Sequence, residues 1–208
     1  MEKFTIGIPT IWKSQRINKS VKDLNELEII NEIIIIDNLH QYDGRFDTIE
    51  KVRVIQPEEN LWVNPAWNRI VKEAQSELIV LLNDDINFDV NIFNVITKDT
   101  LEVSGFIGMG QGNYENTEFD SPPIIQDATR TSDGGWGCMI MFPKHYWVDI
   151  PEKLKIWYGD NFIKERNPYP KSVLRNFPIE TEMSTSSDLM EVRAVRDNDS
   201  QLWSRGTF

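Results

Sequence analysis

Leu78-Ile79-Val80-Leu81-Leu82-Asn83-Asp84-Asp85 carries the reading that decides the fold. Five aliphatic residues in succession fit a strand buried on both faces, as strands of parallel sheets are. The run stops at a carboxamide and two adjacent carboxylates, so acidic groups stand at the end of a buried strand. Like charges within ~4–6 Å oppose each other's ionisation, and a divalent cation with oxygen ligands relieves that repulsion. The same three residues also suit a plain acidic turn, which Asn and Asp favour on local grounds.

Working upstream, residues 4–9 (FTIGIP) and 29–36 (IINEIIII) read as further buried strands, the first stopped by Pro9 and the second ending at Asp37-Asn38. Between them, Ile17, Val21, Leu24 and Leu27 recur at helical spacing over 17–28. That makes a strand, helix, strand unit whose crossover is right-handed. Residues 52–56 (VRVIQ) give another strand, and a helix near 65–76 opens with Pro65 in its first turn. The order is thus β, α, β, β, α, β, with polar residues just after the strand ends. In an open, mostly parallel sheet that carboxyl edge is where ligands bind. Thr10, Asp37 and Asp85 stand there, with hydroxyl and carboxylate groups that suit ribose hydroxyls, a base edge and a metal-bound pyrophosphate.

Downstream, the texture changes at Ser104. Gly105, Gly108, Gly110 and Gly112 lead into residues 111–133, which read as a long loop of the kind that is functional or mobile in a compact domain. Gly134-Gly135-Trp136-Gly137 then precedes a strand at 138–142 (CMIMF), and residues 145–165 read as partly helical. On its own the glycine cluster also fits a tight turn, and Trp136 also fits the core. The polar tail after Pro178 carries no clear pattern.

A chain of 208 residues fits one α/β domain with a full core. Residues 1–103 form its ligand-binding half; 104–208 form the other half with the tail. The formal charge of −11 disfavours a large nucleic-acid surface, while a metal ion and local cations can still admit a small anion to one cleft. One cysteine, Cys138, excludes an internal disulfide and reads as a small buried hydrophobe. The N-terminal stretch has no signal-peptide pattern and no run reaches the ~20 apolar residues of a membrane span, so the expectation is a cytoplasmic protein.

The succession FTIGIPT, IIIIDN, ENLWVNPAWNRIVKEA, LLNDD, GGWGCMIMF and WYGDNF resembles the family 2 and related GT-A glycosyltransferases, including short bacterial and bacteriophage members. The resemblance covers residues 3–165. It implies a Rossmann-like, mostly parallel central sheet flanked by helices, with a smaller acceptor-side region. It also implies a nucleotide-sugar donor and Mn²⁺ or Mg²⁺. Pro9 and Thr10 would lie under the base and Asp37 would contact it; Asn60 and Asn68 fall on the family's Asn positions around the second helix. Trp62 and Pro65 stand where the family often has Gly.

The family's Asp-x-Asp motif overlays on Asn83-Asp84-Asp85, with Asn in place of the first acid. The resemblance makes Asp85 the metal ligand and Asp84 a ribose contact or a support for that ligand. Gly135 and Trp136 fall on the glycine-rich entry behind the sugar, where Trp136 would stack on a sugar face. Asp160 falls where inverting members carry the base that deprotonates the acceptor hydroxyl; read alone, it equally fits a helix N-cap. Relatives often supply a late His to the metal, and Glu182 stands nearest that place.

The resulting expectation is a metal-dependent, inverting hexosyl- or pentosyltransferase acting on an acceptor the sequence does not identify: a glycan, a small molecule, a modified nucleic-acid base or a protein. A sugar-phosphate nucleotidyltransferase is an alternative, although IPTIWKSQR lacks the glycine-rich loop such enzymes place after the first strand. A non-catalytic nucleotide-sugar or carbohydrate-binding module is another, with Asn83 and Gly159 marking lost acids.

Overall fold

The computed structural model describes residues 2–128, 134–182 and 189–208. Its first half follows the expected alternation: β1 (Phe4–Thr10), α1 (Arg16–Asn25), β2 (Ile30–Asp37), β3 (Val52–Ile55), α2 (Asn64–Glu73) and β4 (Leu78–Leu82). Pro65 sits in the first turn of α2, where its missing N–H costs nothing.

After β4 the chain adds β5 (Ile86–Phe88), α3 (Ile92–Val95), α4 (Lys98–Ser104) and β6 (Phe106–Met109). Then come α5 (Gly112–Glu115), β7 (Ile124–Asp127), β8 (Met139–Pro143), α6 (Gly159–Arg166), β9 (Lys171–Arg175), β10 (Ile179–Thr181) and α7 (Met190–Arg205). The stretch 111–133 is therefore not one loop: a helical turn and a strand lie within it, and its residues 129–133 fall outside the described part. The polar tail contains β10 and α7.

Among the described residues the main sheet has the order β3-β2-β1-β4-β8-β6-β9-β7, with β5 and β10 pairing separately. Strands β3, β2, β1 and β4 are parallel. β8 runs antiparallel between β4 and β6 and joins the two halves of the chain in one sheet.

Alternation along the strands divides the core into two layers. Ile33, Ile35, Val80 and Leu82 face α1 and its Ile17, Val21 and Leu24. Ile34, Ile36, Ile79 and Leu81 face α2 and its Ala66, Trp67, Ile70 and Val71. This is why the central strands read as continuous apolar runs. Helix α2 lies so close to β1 that a Cβ on Gly7 would stand 2.2 Å from a methyl of Ile70. Close seating of this kind fixes where the polar strand ends point.

Candidate functional site

The ends of the parallel strands open into a cleft of about 360 Å³. One wall is Pro9, Thr10, Asn38 and Leu39 from the ends of β1 and β2, with Asn60 and Trp62 beyond β3. Asn83, Asp84 and Asp85 form the floor after β4; Gly135, Gly137 and Cys138 precede β8. Ile156, Trp157 and Asp160 close the far side with Leu189, Glu191 and Val192 at the start of α7.

Asp84 and Asp85 pay for their place at this edge. The Asp84 carboxyl is pushed up to about 6, chiefly by burial, against the favourable Thr10 hydroxyl, with Asp85 and Glu182 adding repulsion. Thr10 donates to Asp84 at 2.6 Å and itself accepts from the Trp12 N–H at 2.8 Å. Asp85 is 8% exposed and is also raised, by burial first and by Glu182, against a 3.3 Å hydrogen bond donated by Thr181. Both acids thus hold their charge at a cost that the surrounding donors do not offset.

Asp160 stands in the first turn of α6, whose cap is Tyr158 at φ +64°; its carboxylate accepts the Asn161 N–H at 2.9 Å. The N-cap alternative is thereby replaced: Asp160 lies two residues inside that cap. Its Cβ packs against Gly137, where an added methyl would come within 2.8 Å. Cys138 lines the same cleft, its thiol pushed up to about 12 by burial first and by the charges of Asp85 and Asp160. It is a neutral thiol that packs against the core while lining the cleft wall. Gly135, at φ +76°, needs its lack of a side chain both for that conformation and for the Tyr114 ring 2.8 Å from a would-be Cβ.

Four expected site residues sit elsewhere than the sequence suggested. Trp136 is completely buried, flat against Gly108, with its indole N–H donating to the Ser172 carbonyl at 2.9 Å. It has no face left for a sugar. Asp37 is also fully buried, and its carboxylate accepts from the Leu39, Gln41 and Tyr42 backbone and from Gln56. Those bonds, from Gln56 first, hold it below the ordinary carboxylate range despite burial. It shapes the turn after β2 and is absent from the cleft lining.

Asn68 is engaged behind the cleft: its amide donates to the Ile150 carbonyl at 2.7 Å and accepts from the Trp147 indole and the Ile150 N–H. Glu182 accepts from the Ser14 hydroxyl at 2.9 Å and stands 3.7 Å from the Arg16 guanidinium. Its charge raises both aspartates; among the described residues no group of three or more His, Cys, Asp or Glu is placed to hold a metal. Asn60 does line the cleft, accepting from the Trp62 N–H at 2.8 Å and so helping hold Trp62 at φ +64°.

Sequence reasoning missed the contributions of Trp62, Trp157 and α7. The indoles lie in irregular segments that no periodicity marks. Helix α7 is too polar to show an apolar stripe.

This architecture is the GT-A fold of glycosyltransferases. Residues 1–349 of S. aureus TarS superpose with a TM-score of 0.61 at 14% identity, over 94% of this chain and 65% of that one. GalNAc-T7 with UDP, GalNAc and Mn²⁺ superposes with a TM-score of 0.63 at 11% identity, over 87% of this chain and 43% of that one. TarS 1–349 in complex with UDP-GlcNAc gives 0.55 at 12% identity, over 93% and 64%. This chain therefore spans less than two thirds of each of these structures. No protein-family model and no curated protein sequence matches it. Among the described residues no helix is long and apolar enough to cross a membrane.

Proposed function

We propose that this chain is a metal-dependent glycosyltransferase that moves a sugar from a nucleoside-diphosphate donor to an acceptor hydroxyl with inversion. One observation carries the reading: two adjacent carboxylates, one buried and one half-buried, both raised, and a third across the same cleft, at the carboxyl edge of a GT-A sheet. The TarS complexes with UDP and UDP-GlcNAc, and GalNAc-T7 with UDP and Mn²⁺, support a UDP-sugar as the first donor to try.

Mn²⁺ or Mg²⁺ fits the acid pair, because a divalent cation offsets the repulsion that raises both carboxyls. Asp85 would hold it, with Asp84 beside it tied to Thr10. Bound there with the donor's phosphates, the ion would act as a Lewis acid toward the departing diphosphate. Pro9, Thr10 and Asn60 would border the nucleoside, and Gly135 would let the donor approach the backbone.

Asp160 would accept the proton of the acceptor hydroxyl. A carboxylate suits the task because the hydroxyl becomes strongly acidic only as it attacks. Gly137, with no side chain, gives the approach room. Displacement in one step inverts the anomeric centre.

The test is calorimetric titration of UDP-sugars, with and without Mn²⁺, followed by NMR of the sugar released or transferred. Metal-dependent binding, turnover lost in Asp160→Asn and an inverted product are expected. Binding without turnover in the wild type would mark a binding module, and no binding in either condition would overturn the reading.

A further inference from the structure

Asp199 lies on α7, outside the cleft, yet it is completely buried. Its two carboxylate oxygens accept the backbone N–H groups of three successive residues: Lys155 at 3.1 and 3.2 Å, Ile156 at 2.9 Å and Trp157 at 3.0 Å. A buried charge is expensive unless hydrogen-bonded, and three converging N–H donors supply the bonds that make one tolerable.

The same segment is held from the opposite side by the start of α2. Val63 and Asn64 both donate their backbone N–H to the Lys155 carbonyl, at 3.0 and 2.9 Å. The Asn64 amide donates to the carbonyls of Leu154 and Trp157, at 3.2 and 3.1 Å. Immediately after the segment, Tyr158 adopts φ +64° with its hydroxyl 3.1 Å from that of Ser200 and its ring stacked on Trp203 at 5.2 Å. Gly159 follows, so tight against Asn64 that a Cβ would come within 2.1 Å of the amide oxygen. Asp160 is the next residue. The backbone of 154–157 leading to it is thus held by α7 on one side and by the start of α2 on the other.

We infer that Asp199 is a positioning residue: by gathering the N–H groups of 155–157 it sets where the Asp160 carboxylate and the Trp157 ring stand in the cleft. The catalytic part of this inference rests on the proposed role of Asp160. The placement part does not. Replacing Asp199 by Asn keeps the shape but leaves one acceptor oxygen for three donors and turns an NH₂ toward them. The segment then loses its register, and misplacement of a reacting group by about 1 Å costs on the order of 100-fold in rate.

The experiment compares Asp199→Asn, Asp160→Asn and the double variant in Mn²⁺-dependent UDP-sugar hydrolysis and transfer. Asp199→Asn is expected to lower kcat by about 10- to 100-fold with donor KM changed less than about threefold. The double variant is expected to be no slower than Asp160→Asn, because the two residues act through one group. An unchanged kcat in Asp199→Asn, or losses that multiply in the double variant, would overturn the inference.

Two readouts stand apart from activity. In Asp199→Asn the Asp160 side-chain carboxyl ¹³C resonance moves and the amides of Lys155, Ile156 and Trp157 exchange faster; if both stay as in the wild type, the inference fails. A wild type that turns over no UDP-sugar would defeat the base assignment, while these two signals still decide the placement. If Asp199→Asn does not fold, Tyr158→Phe with Ser200→Ala replaces it. That variant keeps Asp199 and removes only the hydroxyl link from Tyr158 to α7, and it is expected to reproduce a smaller fall in kcat at constant KM.

Discussion

The two edges of the parallel strands each bury acid, and they treat it differently. At the amino edge, Glu32 on β2 is 7% exposed and accepts from the Thr5 hydroxyl at 2.9 Å and the Gln75 N–H at 2.5 Å, with the Arg53 guanidinium at 3.4 Å. At the carboxyl edge, Asp84 and Asp85 take one threonine hydroxyl each and remain raised. One carboxylate is satisfied by its own chain; the other two are left in want of positive charge. The first is architecture, and the second carries the ligand site proposed above.

The largest expected effect breaks the comparison at its charged edge. Asp85→Ala should weaken Mn²⁺-dependent UDP-sugar binding by about 100-fold or more, read by calorimetry, without lowering the melting temperature in EDTA. A variant that binds donor as the wild type does would reduce the acid pair to a turn.

Next comes pH. The folded protein keeps the Asp84 proton up to about 6, whereas an ordinary aspartate releases it near 3.8. Between those values the folded state binds more protons than the unfolded one, so metal-free stability falls as pH rises through that window and stays low above it. The loss is on the order of 3 kcal/mol. Asp84→Asn should flatten this slope and raise the metal-free melting temperature at pH 7. Donor binding with Mn²⁺ should run the other way, strengthening as pH rises through about 6, because the ion favours the ionised acids.

The smallest effect sharpens the contrast from the other side. Glu32→Ala strands the Gln75 N–H and the Thr5 hydroxyl, and should lower stability by about 2 kcal/mol in urea unfolding. It should leave donor binding unchanged. If Glu32→Ala impaired binding, the two edges would not be functionally separate.

Much of the first half of the molecule was legible because its strands are buried on both faces, and unbroken apolar runs such as Ile33–Ile36 and Leu78–Leu82 announce them. The second half hides its strands. β6 and β9 are four and five residues long, carry Gly108 and Lys171, and show neither alternation nor a long apolar run. At the site, strand ends pointed to Pro9, Thr10, Asp84 and Asp85 and the family resemblance to Asn60, Gly135 and Asp160; all seven line the cleft. The sequence reading misjudged Asp37, Asn68 and Trp136 for one physical reason. A polar or aromatic side chain beside a cleft can turn either way, and only tertiary partners decide: Gln56 and three amides for Asp37, the 147–150 loop for Asn68, Gly108 for Trp136. Asp199 gave no signal at all. Its donors lie more than 40 residues earlier in the chain.

That distance governs how the protein is made. The parallel strands β1–β4, their neighbour β8 and the acid pair are complete once residue 143 has left the ribosome, but the far wall of the cleft waits for Leu189, Val192 and Asp199. Domains fold from the N-terminus as they emerge, so the nascent chain passes through a stage with its core formed and its cleft still open on one side. A chain arrested before α7 would be folded through most of its sheet and have no finished site.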